Sequence, residues 1–219
     1  MKNALIFWGG WDGHEPEKVA ERFRLLLEGE GFAVEVVHGP QNIPVERLSQ
    51  FDLLIPMITM CPMEGAVSAA IRQAVADGAG LAGCHGGMCD ACREDTEWQF
   101  MCGGQWVSHP GNDGVRYTVN IVRGANAITA GIEDFEVTSE HYYMHVDPAV
   151  EVLATTRFPL VEGCHAANRP VDMPVAWTKY WGKGRVFYCS LGHIDNVFDN
   201  SPSAQELILK GMLWATRTL

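Results

Sequence analysis

The chain has 219 residues, 47% of them hydrophobic and 20% charged, which suits one compact domain over residues 1–219 with a well-filled core. Lys and Arg number 16 against 27 Asp and Glu, a formal charge of −11 that makes nucleic acid and anionic membrane surfaces unexpected partners. No basic-then-apolar leader and no bilayer-length apolar run is read, and the seven cysteines are an odd number, so the expectation is a cytoplasmic protein with reduced thiols.

Ala4 to Trp8 is a continuous apolar run that stops at Gly9-Gly10, the pattern of a central parallel strand. From Pro16 the period changes to that of a helix whose buried face carries Val19, Phe23, Leu26 and Leu27, with Gly29 and Gly31 at its end. Ala33 to Val37 and Asp52 to Met57 read as the next strands, Met63 to about Ala76 as a helix, and Gly80 to Cys84 as a fourth strand. Alternation predicts a strand over Val115 to Val122, and others are expected at Val150 to Ala154, Pro174 to Trp177 and Val186 to Cys189. A last helix is expected to start at a Ser203 cap. This order predicts a flavodoxin-like three-layer α/β/α sandwich with a mostly parallel sheet.

Gly83-Cys84-His85-Gly86-Gly87 has the spacing of a nucleophile elbow, the sharp strand-to-helix turn that lifts one side chain above a sheet edge. The lifted position holds His85 instead of Cys or Ser. Ligands of open parallel sheets bind beyond the carboxyl ends of the strands. Trp11, Asp12 and His14 follow the first strand, His85 the fourth, and His193 and Asp195 the last. Trp106 and His109 lie in a Gly-rich loop, and Glu140, His141, Tyr142 and His145 form a polar-aromatic stretch. Each histidine alone has a bland reading as a surface or capping residue. The two tryptophans serve either as cover for the sheet edge or as platforms for a sugar ring.

Cys89-Asp90-Ala91-Cys92 has no second pair to make a zinc ribbon and does not open a helix after a first strand, so free thiols are expected. Cys84 precedes the lifted position by one residue and should face the core.

These residues resemble the ThuA-like family (trehalose utilisation type) of the class I glutamine amidotransferase-like superfamily. The pieces that carry the resemblance are the elbow, Gly103-Gly104-Gln105-Trp106 with His109-Pro110, Glu140 with Tyr142, and Pro174 through Gly182-Lys183-Gly184-Arg185 to Leu191-Gly192-His193. The resemblance implies the flavodoxin-like fold and a place in bacterial sugar catabolism beside dehydrogenases that make 3-keto-glycosides. His193-Ile194-Asp195 resembles the His-x-Glu of the amidotransferases, but with His85 in place of their Cys, thioester chemistry is not expected. Ser139 stands where the family often has a second acid, and Trp106 where it commonly has Phe.

The leading expectation is an enzyme that removes a proton beside the carbonyl of a keto-sugar or 3-keto-glycoside, as an isomerase, epimerase or lyase. Glu140 is the expected base, His85 and His193 the acid or oxyanion partners, and His109 and Tyr142 orient hydroxyls. Trp11, Asp12, His14, Trp106 and Asp195 are the substrate-binding candidates. A divalent metal, zinc or manganese, is the open fork: His14, His85 and His193 with Glu140 nearby are ligand types for it, at no helical spacing. The competing classes are a non-catalytic sugar-binding or regulatory protein and a redox protein using Cys89 and Cys92. A small-molecule carbohydrate is the expected partner, and a homo-oligomer is plausible.

Overall fold

The apolar runs of the N-terminal half become parallel strands in the computed structural model, which describes residues 1–124 and 126–219. In chain order the elements are β1 (Asn3–Trp8), α1 (Pro16–Gly29), β2 (Ala33–His38), β3 (Leu53–Met57), α2 (Gly65–Asp77) and β4 (Gly80–Cys84). Two short helices follow, α3 (His85–Cys89) and α4 (Thr96–Cys102). Then come β5 (Gly104–Ser108), β6 (Val115–Ile121), β7 (Phe135–Ser139), β8 (Tyr143–Val146), β9 (Glu151–Phe158), β10 (Val171–Trp181) and β11 (Gly184–Cys189). Helices α5 (Asn196–Asn200) and α6 (Pro202–Ala215) close the chain.

The main sheet runs β2-β1-β3-β4-β11-β10-β9-β6-β7, with β5 and β8 paired separately. Its first five strands are mutually parallel in flavodoxin-like order, whereas β10, β9, β6 and β7 extend it by antiparallel pairing. Side-chain alternation on these strands builds two cores. Ala4, Ile6, Leu53 and Ile55 pack with Phe23 and Leu27 of α1 and Leu207 and Met212 of α6. Leu5, Phe7, Leu54 and Leu81 face the other way, toward Ile71 and Val75 of α2 and Trp98 of α4. Cys84 lies in the first core, turned away from the elbow's open side.

Two prolines shape the sheet. Pro56 in β3 has no N–H to give β4, and the β3–β4 ladder covers only Leu53↔Gly80 and Leu54↔Leu81 before the strands separate. Helix α3 enters that gap: Ile58 N–H donates to Gly87 O at 3.0 Å, and a Cβ on Gly87 would lie 2.9 Å from Met57 Cα. Pro174 sits inside β10 at a register shift against β9, so a strand longer than the four residues expected tolerates it. At the last helix the expected cap is displaced. Ser201 is the N-cap and Pro202 takes the first helical position, where its missing N–H costs nothing; Ser203 lies within the first turn. No helix among the described residues is long and apolar enough to cross a membrane.

All seven cysteines are free thiols. Burial pushes Cys92 up to about 12, and burial with a hydrogen bond to Cys102 holds Cys89 well above the ordinary thiol value. Protonated, buried sulfurs of this kind are poor nucleophiles, which weighs against a Cys89–Cys92 redox pair.

Candidate functional site

The consecutive parallel strands β1, β3, β4 and β11 each deliver one polar side chain to the same hollow at their carboxyl ends. After β1 the chain turns through Gly9 and Gly10 into a 3-10 turn, Asp12–His14, which buries His14. After β3 comes Thr59, whose Oγ1 is hydrogen-bonded to His14 Nδ1 at 2.8 Å. After β4 the backbone makes the elbow, with His85 at φ 49° and the residue 1% exposed. A non-glycine residue in the left-handed region marks a strained turn kept by its surroundings. Gly86 is required beside it, because a Cβ there would lie 2.7 Å from Thr59 Cγ2 and 2.9 Å from His14 Cε1. After β11, Gly192 at φ 100° carries the chain over Phe198 and into His193.

The carboxylate comes from elsewhere. Glu140 follows β7 in the antiparallel half, and Tyr117 anchors its backbone by donating a hydrogen bond to Glu140 O at 3.0 Å. One oxygen, Glu140 Oε2, lies 3.3 Å from His85 Nε2, 3.4 Å from His193 Nδ1, 3.6 Å from His109 Nδ1 and 3.8 Å from His14 Nε2. Tyr142 stacks on His85 at 4.0 Å between ring centres, and its hydroxyl is hydrogen-bonded to His85 Nδ1 at 3.0 Å. Glu140 Oε2, His85 Nε2, His109 Nδ1 and His193 Nδ1 are all buried without a hydrogen-bond partner. Four unpaired polar atoms in one place is unusual, since such groups are nearly always satisfied.

The charge state follows from burial and contact. At Glu140 burial raises the carboxyl, but the contacts with His14 and His85 outweigh it and hold the group well below the usual carboxylate range. Burial drives His85 down to about 3, against the opposing pull of Glu140. Burial likewise lowers His193, with Glu140 opposing. At neutral pH the hollow therefore holds an anionic Glu140 beside neutral His85 and His193, each of which keeps a lone pair on one ring nitrogen.

The other expected site residues divide. Trp11, 48% exposed, stands edge-on to His14 at 4.7 Å at the mouth, and its indole lies over Gly13, where a Cβ would come within 2.5 Å of the ring. Trp106 is 5.3 Å from His109 between ring centres, and the Arg93 guanidinium lies 4.9 Å from the centre of its ring. His109 is the most open imidazole of the group, with 30% of its side chain exposed. Asp12 is exposed on its turn. Asp195 is held elsewhere: Arg22 donates to both its oxygens, Nε at 2.6 Å and Nη2 at 2.8 Å, so it is not the orienting partner of His193 that a His-x-acid pair requires. His141 points away, buried against Tyr117 and Phe158.

Sequence reasoning passed over three residues here. Thr59 holds His14 and was within reach of the same strand-exit rule, as the second residue beyond Met57. Arg93, paired with Asp90, covers Trp106. Asp113, in the loop after His109, acts electrostatically on His193. Neither of the last two carries a sequence signal. Together the residues offer a floor of lone pairs that can take up a proton or a cation, a half-open imidazole at the mouth, and an aromatic wall.

A family model described as ThuA, trehalose utilisation, matches residues 3–215. A ThuA-like protein from Bacteroides uniformis is 20% identical with a TM-score of 0.76, covering 98% of this chain and 91% of its own. Another from Parabacteroides merdae is 16% identical with a TM-score of 0.75, covering 98% and 90%. A cytoplasmic protein from Salmonella typhimurium LT2 is 12% identical with a TM-score of 0.64, covering 99% and 98%. At these identities the structures share the fold. A comparison with curated proteins finds no match.

Proposed function

The chain belongs to the ThuA family of trehalose utilisation, and we propose that it is an enzyme that moves a proton beside the carbonyl of a keto-sugar or 3-keto-glycoside. The observation that carries this reading is the convergence of four imidazoles on one buried, unpartnered carboxylate oxygen at the strand ends. A binding protein has little use for such a set, whereas proton transfer needs a base and a place for the charge that develops.

In this mechanism the apolar face of the sugar lies against Trp11 and the ketone oxygen points to the floor formed by His14, His85, Glu140 and His193. His109 takes the proton from the adjacent carbon. The C–H electron pair becomes the carbon–carbon double bond of an enediolate, and the carbonyl electrons move to oxygen, whose charge a proton or cation held on the floor would neutralise. Returning the proton to the same carbon from the other face gives an epimer, and returning it to the neighbouring carbon gives an isomer. Loss of a β-oxygen substituent instead gives elimination. Glu140 suits the floor better than the base role expected for it, because a carboxylate held this far below its usual range is a weak base.

The test is incubation with oxidised trehalose in deuterated water, followed by NMR. Deuterium should enter at the carbon next to the ketone, and His109→Gln should slow its entry about 10²-fold or more. A protein that protects the sugar signals by binding but never exchanges a proton is the sugar-binding alternative, and that result ends the enzymatic reading.

A further inference from the structure

We propose that His14 Nε2, His85 Nε2, His193 Nδ1 and Glu140 Oε2 form a site for one divalent first-row transition cation, zinc or manganese. The inference deepens the proton-transfer reading by naming the cofactor of the same hollow.

The first argument is distance. One ligand atom from each of these four residues lies within 4.8 Å of those of the other three. The imidazole nitrogens stand 3.3, 3.4 and 3.8 Å from Glu140 Oε2. Hydrogen bonds between such groups would close to roughly 2.7–3.2 Å. Ligands set tetrahedrally about a cation at bond lengths of about 2.1 Å stand roughly 3.4 Å apart, close to the separations of Glu140 Oε2 from the three nitrogens. The side chains are thus too far apart to satisfy one another and suitably apart to share a central ion.

The second is the state of the atoms. His85 Nε2, His193 Nδ1 and Glu140 Oε2 are buried and unpartnered, and their parent residues are 1%, 7% and 4% exposed. A buried carboxylate oxygen whose nearest possible donors stand at 3.3 Å or more is a costly arrangement for a protein interior, unless a cation completes it.

The third is the support around the ligands. His14 Nδ1 is tied to Thr59 Oγ1 and His85 Nδ1 to Tyr142 OH, which leaves the opposite nitrogen of each ring aimed inward. Outer partners of this kind fix ring orientation and tautomer at metal centres. Thr59 is therefore a positioning residue. Its methyl packs at the elbow, and its carbonyl accepts the Trp11 N–H at 3.1 Å, so one residue links three strand exits. Three imidazoles and a carboxylate, with no thiolate in the set, select cations of intermediate softness. His109 stays outside the four and remains free for the proton. A bound cation would hold the ketone oxygen and neutralise the enediolate charge.

The test uses the untagged full chain, stripped with chelator and titrated with zinc chloride and, separately, manganese chloride by calorimetry. The proposal expects one equivalent of at least one of these metals. Glu140→Gln and His193→Ala should bind it at least 100-fold more weakly. Thr59→Val should weaken binding about 10- to 100-fold, with Thr59→Ser restoring it, so the prediction survives if a ligand variant fails to fold. Saturation by neither metal, or equal affinity in wild type and Thr59→Val, overturns it. Deuterium exchange separates the two readings. Full exchange by stripped protein ends the cation's role as cofactor and keeps the proton transfer; stoichiometric binding without exchange keeps the metal and ends the proton transfer.

Discussion

His193 and Asp195 leave the same strand end two residues apart, yet their surroundings are opposite. Asp195 accepts two hydrogen bonds from Arg22, which also reaches Asp199 at 2.8 Å and Gln205 at 3.0 Å. Its own N–H donates to Glu15 Oε2. Both carboxylate oxygens of Asp195 and the nitrogens of Arg22 have partners there, and the cluster ties α1 to α5 and α6. His193 points into a hollow where its Nδ1, the carboxylate facing it and two further imidazole nitrogens have none. A saturated network needs nothing beyond itself and explains stability. An unsaturated one of the same residue types, held by strained backbone at His85, calls for an occupant or a substrate.

The contrast is most exposed to failure at Glu140. Glu140→Gln should lower deuterium exchange about 10³-fold or more, measured by NMR, because it removes the carboxylate on which the four imidazoles converge. The unfolding midpoint of the chelator-treated variant should equal or exceed that of the wild type, since an uncompensated buried charge has been neutralised. A large loss of stability would make Glu140 a structural residue like Asp195. Asp195→Asn should do the reverse: it should cost about 1–3 kcal/mol in denaturant unfolding, with exchange per folded molecule unchanged. Loss of exchange there would join the two clusters into one site. Trp11→Ala should raise KM about 10-fold and leave kcat near wild type, as removal of a platform that binds ground and transition states alike.

A smaller effect sharpens the saturated side through pH. Lys179 donates to Asp147 at 2.5 Å and holds its carboxyl below the ordinary value of 3.8. The folded state thus binds that proton less readily than the unfolded chain. The pair's contribution is full above about pH 4 and is lost as the pH falls through the lower folded value. The stability gap between wild type and Asp147→Asn, followed by thermal unfolding from pH 6 to pH 3, should shrink toward zero. A gap that is constant with pH would assign the pair no electrostatic role.

The parallel half of the molecule was legible because buried parallel strands leave continuous apolar runs; Gly80–Cys84 begins and ends where its sequence says. The elbow was legible through its glycines. The antiparallel half was less so. Pro174 argued for a short strand, and only the register shift against β9 shows how β10 accommodates it. The cap of α6 was misplaced because Pro202, the better signal, stood before Ser203. At the site, the strand-exit rule collected His14, His85 and His193 but also Asp195, since sequence position does not reveal that Arg22 of α1 reaches across to it. Glu140 comes from a different part of the sheet, and its meeting with the histidines depends on the long-range order β11-β10-β9-β6-β7, which no local pattern encodes.

The most direct measurement of the central claim is anomalous diffraction from crystals of the untagged protein grown with zinc or manganese, recorded at the absorption edge of that metal. The account predicts one strong peak bounded by His14 Nε2, His85 Nε2, His193 Nδ1 and Glu140 Oε2. A hollow without that peak, in which Glu140 has closed to about 2.8 Å hydrogen bonds with the imidazoles, would contradict it.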